Sequence, residues 1–153
     1  MRLKELHAQP GHLIRRAQQI AVAVFIEECA AFDLTPVQYA ALVAIDEHEG
    51  IDATRLSAQI AFDRSTLGNV LERLEMRGLV ERYPSREDRR VKLLKLTDIG
   101  RTTMREAEAA VRRAQERILA PLDPERRRVL LDLLAQLVEL NNDASRVPQR
   151  LFA

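Results

Sequence analysis

Residues 52–100 change period twice within fifty positions, and that change limits the fold more than any other feature of the chain. Asp52 and Asp63 each stand where a side-chain carboxylate caps a helix start, and a tight AFD connection separates the two helices they open, 53–61 and 64–77. Leu67, Leu71 and Leu74 repeat at helical spacing, and Gly78 stops the second helix. The period then shortens. LVERY (79–83) and VKLLKL (91–96) are β-compatible runs joined by SREDRRVK, which predicts an antiparallel hairpin with a charged tip. Two short helices at a tight turn make a helix-turn-helix, and a following hairpin makes it winged.

The flanks are helical. Thr35, Pro36 and Gln38 supply a capping box and a first-turn proline for a helix over 35–48. Residues 11–31 are apolar nearly all round, so that helix is expected to be covered on most sides, in a core or by a second subunit. Thr97-Asp98 opens a long helix to about Leu119, and Asp123-Pro124 opens a last one to about Asn141. The apolar stripe of the last helix, from Val129 to Leu140, is wider than one packing face requires. The expected fold is mostly α with a small β-hairpin: a winged helix-turn-helix flanked by N- and C-terminal helices.

Net charge is only +1, so affinity for a polyanion has to be local. Over residues 82–95, six cations (Arg82, Arg86, Arg89, Arg90, Lys92, Lys95) face two anions (Glu87, Asp88), an excess of +4. A solvated turn is the plain alternative for any charge run. Behind a helix-turn-helix, the wing is the better reading, its arginines suited to a minor groove and Asp88 to gripping one guanidinium. On the second helix Ser65, Gly68, Asn69, Glu72 and Met76 turn outward, with Thr66 and Arg73 on the flanks. Asn69 can pair with a base edge and Arg73 can reach a phosphate.

No catalytic residues are assigned, no metal site and no cofactor. The histidines lack metal spacing, the five glycines stand singly, and the carboxylates interleave with cations as on a solvated surface. The single cysteine, Cys29, excludes an internal disulfide framework, and no membrane segment or signal peptide is visible, so a cytoplasmic protein is expected.

From Leu34 to Gly100 the chain resembles the MarR family of bacterial transcriptional regulators. The resemblance is carried by LTPVQYAAL, by FDRSTLGNVLERLEMRGLVER and by DRRVKLLKLTDIG. It implies a single MarR-type domain over 1–153, with 34–100 as the DNA-binding region and 11–31 and 102–145 as dimerisation helices. It implies a homodimer that binds a pseudo-palindromic operator in double-stranded DNA, most often as a repressor. In the family's pattern Arg90 enters the minor groove beside Asp88, Arg86 and Arg89 add backbone contacts, and Ser65, Thr66, Asn69 and Arg73 meet DNA on the recognition helix. Gly68 departs from the bulkier residue often found there.

Many members are released from DNA by a small ligand. His12, Arg15, Arg16 and Gln19 lie within two turns, paired four apart as 12/16 and 15/19, and an arginine beside an apolar cavity suits a carboxylate. Phe25, Phe32 and Tyr39 could line that cavity, although core packing is the plainer role of each. The RRAQQ stretch resembles MarR-type regulators of aromatic-acid catabolism, which implies an aromatic carboxylate, a phenol or an aryl-coenzyme A thioester as effector. Two other readings stay open at this point: a winged-helix module that docks protein, and a thiol sensor using Cys29, against which Glu27 and Glu28 argue by raising a nearby thiol pKa.

Overall fold

Helices begin where the sequence puts caps. The computed structural model describes residues 2–152. A short α1 (Leu3–His7) leads into α2 (Pro10–Glu28), and a 3-10 turn (Ala30–Phe32) connects to α3 (Pro36–Glu47). At the start of α3 the Gln38 amide donates to the Thr35 hydroxyl at 3.3 Å, and the Thr35 amide donates back to the Gln38 side chain at 2.9 Å. Helix α4 (Ala53–Gln59) starts with the Thr54 and Arg55 amides on Asp52, at 2.7 and 2.9 Å. Helix α5 (Arg64–Met76) starts in the same way on Asp63. Each cap satisfies amides that have no partner inside their helix.

Beyond α5 come β2 (Val80–Pro84), β3 (Lys92–Leu96), α6 (Asp98–Leu119) and α7 (Pro124–Leu140), the last followed by a 3-10 turn (Asn142–Ala144). The hairpin is antiparallel as expected, with Arg82 opposite Leu94. The sheet has one strand more than the sequence predicts. β1 (Ile51–Asp52) pairs with β3, giving the order β1-β3-β2. Gly50, at φ +88, turns the chain after α3 and donates its amide to Leu94 at 2.9 Å. A two-residue strand has no period to read, which is why it was invisible.

One core joins α3, α4, α5, α6 and the sheet, with Leu42, Ile45, Leu56, Leu67, Leu71, Leu74 and Leu94 fully buried. Thr97 locks the wing to α6: its hydroxyl donates to the Gly78 carbonyl at 2.6 Å and accepts from the Gly100 amide at 2.9 Å. Gly100 is required there, because a Cβ would fall inside contact distance of the Leu79 backbone. A smaller cluster of Phe25, Cys29, Ala110 and Ala114 joins α2 to α6.

The two outer helices are the exception to burial. Helix α2 buries only Phe25, and α7 buries nothing. Leu13, Ile14, Ile20 and Ile26 on α2, with Leu131, Leu133, Leu137 and Val138 on α7, are exposed. The expected all-round cover for residues 11–31 does not come from this chain. That segment is also shorter than one helix over its whole length, because it passes into the 3-10 turn after Glu28.

Candidate nucleic-acid interface and adjoining cleft

Helix α5 divides by face as its period requires. Leu67, Leu71 and Leu74 are buried, whereas Ser65, Thr66, Asn69, Glu72, Arg73 and Met76 are exposed. Asp63 does more than cap. The Ser65 hydroxyl also donates to its carboxylate, and the Thr66 hydroxyl approaches the same oxygen at 3.4 Å. These donors, the Ser65 hydroxyl foremost, hold the Asp63 carboxyl below its ordinary pKa. The first turn of α5 thus presents two oriented hydroxyls, with Asn69 one turn further on.

The wing tip is ordered by its own backbone. Ser85 donates to the Val91 carbonyl and Val91 donates to the Asp88 carbonyl, both at 2.9 Å. Asp88 then grips Arg90 with both carboxylate oxygens. Arg90 Nε reaches Oδ1 at 3.2 Å, Nη2 reaches Oδ2 at 3.3 Å, and the Arg90 amide adds a third bond at 3.0 Å. The Arg90 guanidinium lowers the Asp88 pKa, so the carboxylate stays charged at neutral pH. The Arg90 side chain is nonetheless 93% exposed, its guanidinium held along one edge by Asp88 and open at Nη1.

Not all six wing cations are available. Arg82 pairs with Glu75 at 2.8 Å and Lys95 with Glu81 at 3.0 Å. Among the described residues Arg86, Arg89 and Lys92 have no ion-pair partner, so the free positive charge lies at the tip.

A second basic feature was missed from sequence. Arg55, Arg64, Arg82, Arg90 and Lys92 line a notch of about 450 Å³ between the start of α4, the start of α5 and the wing, with Asp52 as its anion. Arg64 donates to the Thr54 hydroxyl at 3.0 Å, tying the two helix starts together across the notch. Arg55 and Arg64 are isolated cations in the sequence. Only the turn between their helices brings them to the wing.

The residues expected to hold a ligand fall into two separate places. His12, Arg15, Arg16 and Gln19 lie on the exposed first half of α2. They pair three apart rather than four, Arg15 with His12 at 3.4 Å and Arg16 with Gln19 at 2.7 Å. Desolvation, then the charges of Arg15, His7 and Arg16, keep His12 below its ordinary pKa. Phe25 and Tyr39 meet further along, their rings 6.3 Å apart, against the α2–α6 cluster; Phe32 packs there too. Neither set lines the cleft present in the single chain. That cleft, about 540 Å³, lies between α2, α3 and α5, bounded by Gln18, Val22, Val37, Phe62, Asn69 and Arg73. Gln18 and Val22 carried no sequence signal, being an unremarkable amide and one apolar residue among many.

Cys29 is wholly buried, and burial raises its thiol pKa. The Arg113 charge opposes that shift and the Glu28 charge adds to it, Glu28 itself pairing with Arg113 and Arg117, each at 3.2 Å. A buried, protonated thiol is a poor nucleophile, which removes the physical basis of the thiol-sensor reading.

The MarR family model matches residues 34–92, from the end of the 3-10 turn to the wing. The HTH-type transcriptional repressor NicR of Pseudomonas putida is 29% identical over 136 residues, covering 89% of this chain and 86% of that protein. The transcriptional repressor CouR, solved on a 23-mer DNA duplex, superposes with a TM-score of 0.81 at 32% identity, covering 90% of this chain and 98% of that one. The PcaV regulator of Streptomyces coelicolor, solved with its natural ligand, gives a TM-score of 0.78 at 32% identity, covering 91% and 98%. Helix-turn-helix, wing and flanking helices thus superpose along nearly the whole chain: the protein belongs to the MarR family.

Proposed function

We propose that the protein is a ligand-responsive transcriptional regulator, a repressor that binds a pseudo-palindromic operator as a homodimer. The observation that carries this reading is the wing, where Asp88 orients the guanidinium of an exposed Arg90 beside the unpaired Arg86 and Arg89. In this reading Arg90 enters the minor groove and Arg86 and Arg89 meet flanking phosphates. Ser65, Thr66, Asn69 and Arg73 face the major groove. The CouR complex with duplex DNA supports it. Residues 11–31 and 102–145 serve dimerisation, a role supported by the uncovered apolar faces of α2 and α7.

The effector in this reading is a small aromatic acid or its coenzyme A thioester, and the ligand complex of PcaV supports a small-molecule response. The cleft offers a mechanism. Asn69 and Arg73 border it, so an occupant engages the side chains that would otherwise face DNA. An arginine suits a carboxylate, and Val22, Val37 and Phe62 supply apolar wall. Arg15 and Arg16, earlier on α2, do not line this cleft and stand as a separate candidate contact for the effector's anionic part.

A gel shift with DNA from beside the protein's own gene, at two salt concentrations, tests the reading. A specific shift weakened by salt is expected, since each neutralised phosphate contributes a slope of about −0.9 in log affinity against log salt. Arg90→Ala is expected to weaken binding by roughly 5- to 100-fold with dimerisation intact. Absence of a salt-sensitive shift favours the protein-docking module instead. Equal ligand-induced release by Arg16→Ala and the parent removes Arg16 from the effector site.

A further inference from the structure

The segment after α7 returns to the DNA-binding region and fastens to α4. Asn142 starts the return by accepting from the Gln149 amide at 2.8 Å and donating to the Gln149 carbonyl at 3.2 Å. From there the Arg150 amide donates to the Ala58 carbonyl at 2.9 Å, and the Gln149 side chain donates to the Gln59 carbonyl at 3.0 Å. These carbonyls lie in the last turn of α4, where acceptor capacity is left over; the Ala58 carbonyl also accepts from the Ala61 amide at 3.4 Å. The Phe152 amide donates to the Gln59 side chain at 3.1 Å, and the other end of that side chain meets the His48 ring at 3.1 Å. Finally, the Phe152 ring lies 4.9 Å from the Arg55 guanidinium carbon.

Arg55 therefore stands between two features. On one side Phe152 covers its guanidinium, in a shallow hollow shared with His48, Glu49, Gly50 and Ile51. On the other it lines the cationic notch with Arg64, Arg90 and Lys92. It has no carboxylate partner among the described residues, so the aromatic face is the contact that restricts its swing. A restricted arginine loses less side-chain freedom on binding than one moving freely in water.

We propose that the notch seats a DNA backbone phosphate and that residues 145–152 form a strap which positions Arg55 for it, with Phe152 as the positioning residue. The inference rests on the DNA-binding reading above and deepens it. The strap also ties the end of α7, an element assigned to dimerisation, to the first helix of the helix-turn-helix. Phosphate grip in the notch thus depends on how the outer helices sit.

The test measures affinity of the full chain for a random-sequence DNA duplex across a salt titration, because a phosphate contact reads no sequence. Arg55→Gln is expected to flatten the slope of log affinity against log salt by about 0.9, which is about threefold in affinity over a fourfold range of salt. Phe152→Ala is expected to flatten it by at least half as much, the double variant no more than Arg55→Gln alone, and Phe152→Tyr to restore the parent slope. A parent-like slope for Phe152→Ala beside a flattened one for Arg55→Gln overturns the strap's positioning role. A parent-like slope for Arg55→Gln overturns the phosphate seat. Failure of the parent to bind any duplex sinks the DNA-binding reading itself. Amide hydrogen exchange judges the strap separately: the Arg150 and Phe152 amides should exchange slowly in the parent and rapidly in Phe152→Ala, and rapid exchange in the parent overturns docking.

Discussion

Asp88 and Arg90 show how little a surface ion pair needs to contribute to stability in order to matter. With Arg90 93% exposed, solvent screens the pair and it adds little to folding. Its effect lies in presentation, since an arginine already held by two bonds and aimed outward has less freedom to lose on contact. Asp88→Asn is therefore expected to leave thermal unfolding close to the parent's and to weaken operator binding by roughly 2- to 10-fold, the cost of immobilising one free long side chain. Binding isotherms read beside a melting curve check it, and a large loss of stability would count against the presentation account. The pH dependence follows in sign. Arg90 lowers the Asp88 pKa, so the clamp is intact at neutral pH and in mild acid and opens only as pH falls through that lowered value. This pair was legible because Asp88 and Arg90 are two residues apart and the chemistry is local. Arg55 and Arg64 were not, since their meeting with the wing depends on how two helices cross.

Among the elements, α5 follows its sequence most closely, its cap, buried face and glycine stop all falling where the pattern puts them. Gly68 is the one residue that works against it. A Cβ there would meet nothing within 4 Å, so the position pays the flexibility of glycine without a packing reason. Gly68→Ala is expected to stabilise the protein by roughly 0.5–1 kcal/mol, raising the melting temperature by about 1–4 °C. A thermal melt decides it, and a fall in stability would mean that the outward face of α5 is more crowded than it looks. The wing strands were legible from their period, whereas β1 was not, because its pairing with β3 is long-range and its length is two residues. The cleft was missed for a related reason. Its walls come from α2, α3 and α5, and neither Gln18 nor Val22 carries a charge or spacing that marks it in the sequence.

For the whole molecule, the uncovered faces of α2 and α7 weigh most. Burying a Leu or Ile side chain contributes about 1.5–3 kcal/mol, and this chain leaves many exposed on helices long enough to pair. Replacing Leu133 and Leu137 of α7 together by Lys is expected to shift the protein to monomer in sedimentation and to abolish tight operator binding, with the helix-turn-helix still folded. A dimer that survives the change would move the interface elsewhere. The extent of these helices was readable from sequence, but not what covers them, since an apolar face looks the same against a core and against a second subunit. The charge layout has a consequence of its own. With an excess of +4 in residues 82–95 and +1 over the whole chain, the remainder carries −3. Part of that remainder, Glu75 and Glu81, pairs with Arg82 and Lys95 beside the wing, so the pull on a distant polyanion comes from the unpaired cations at the tip. Encounters that begin tip first are favoured, while the near-neutral total keeps the molecule from clinging to every duplex it meets.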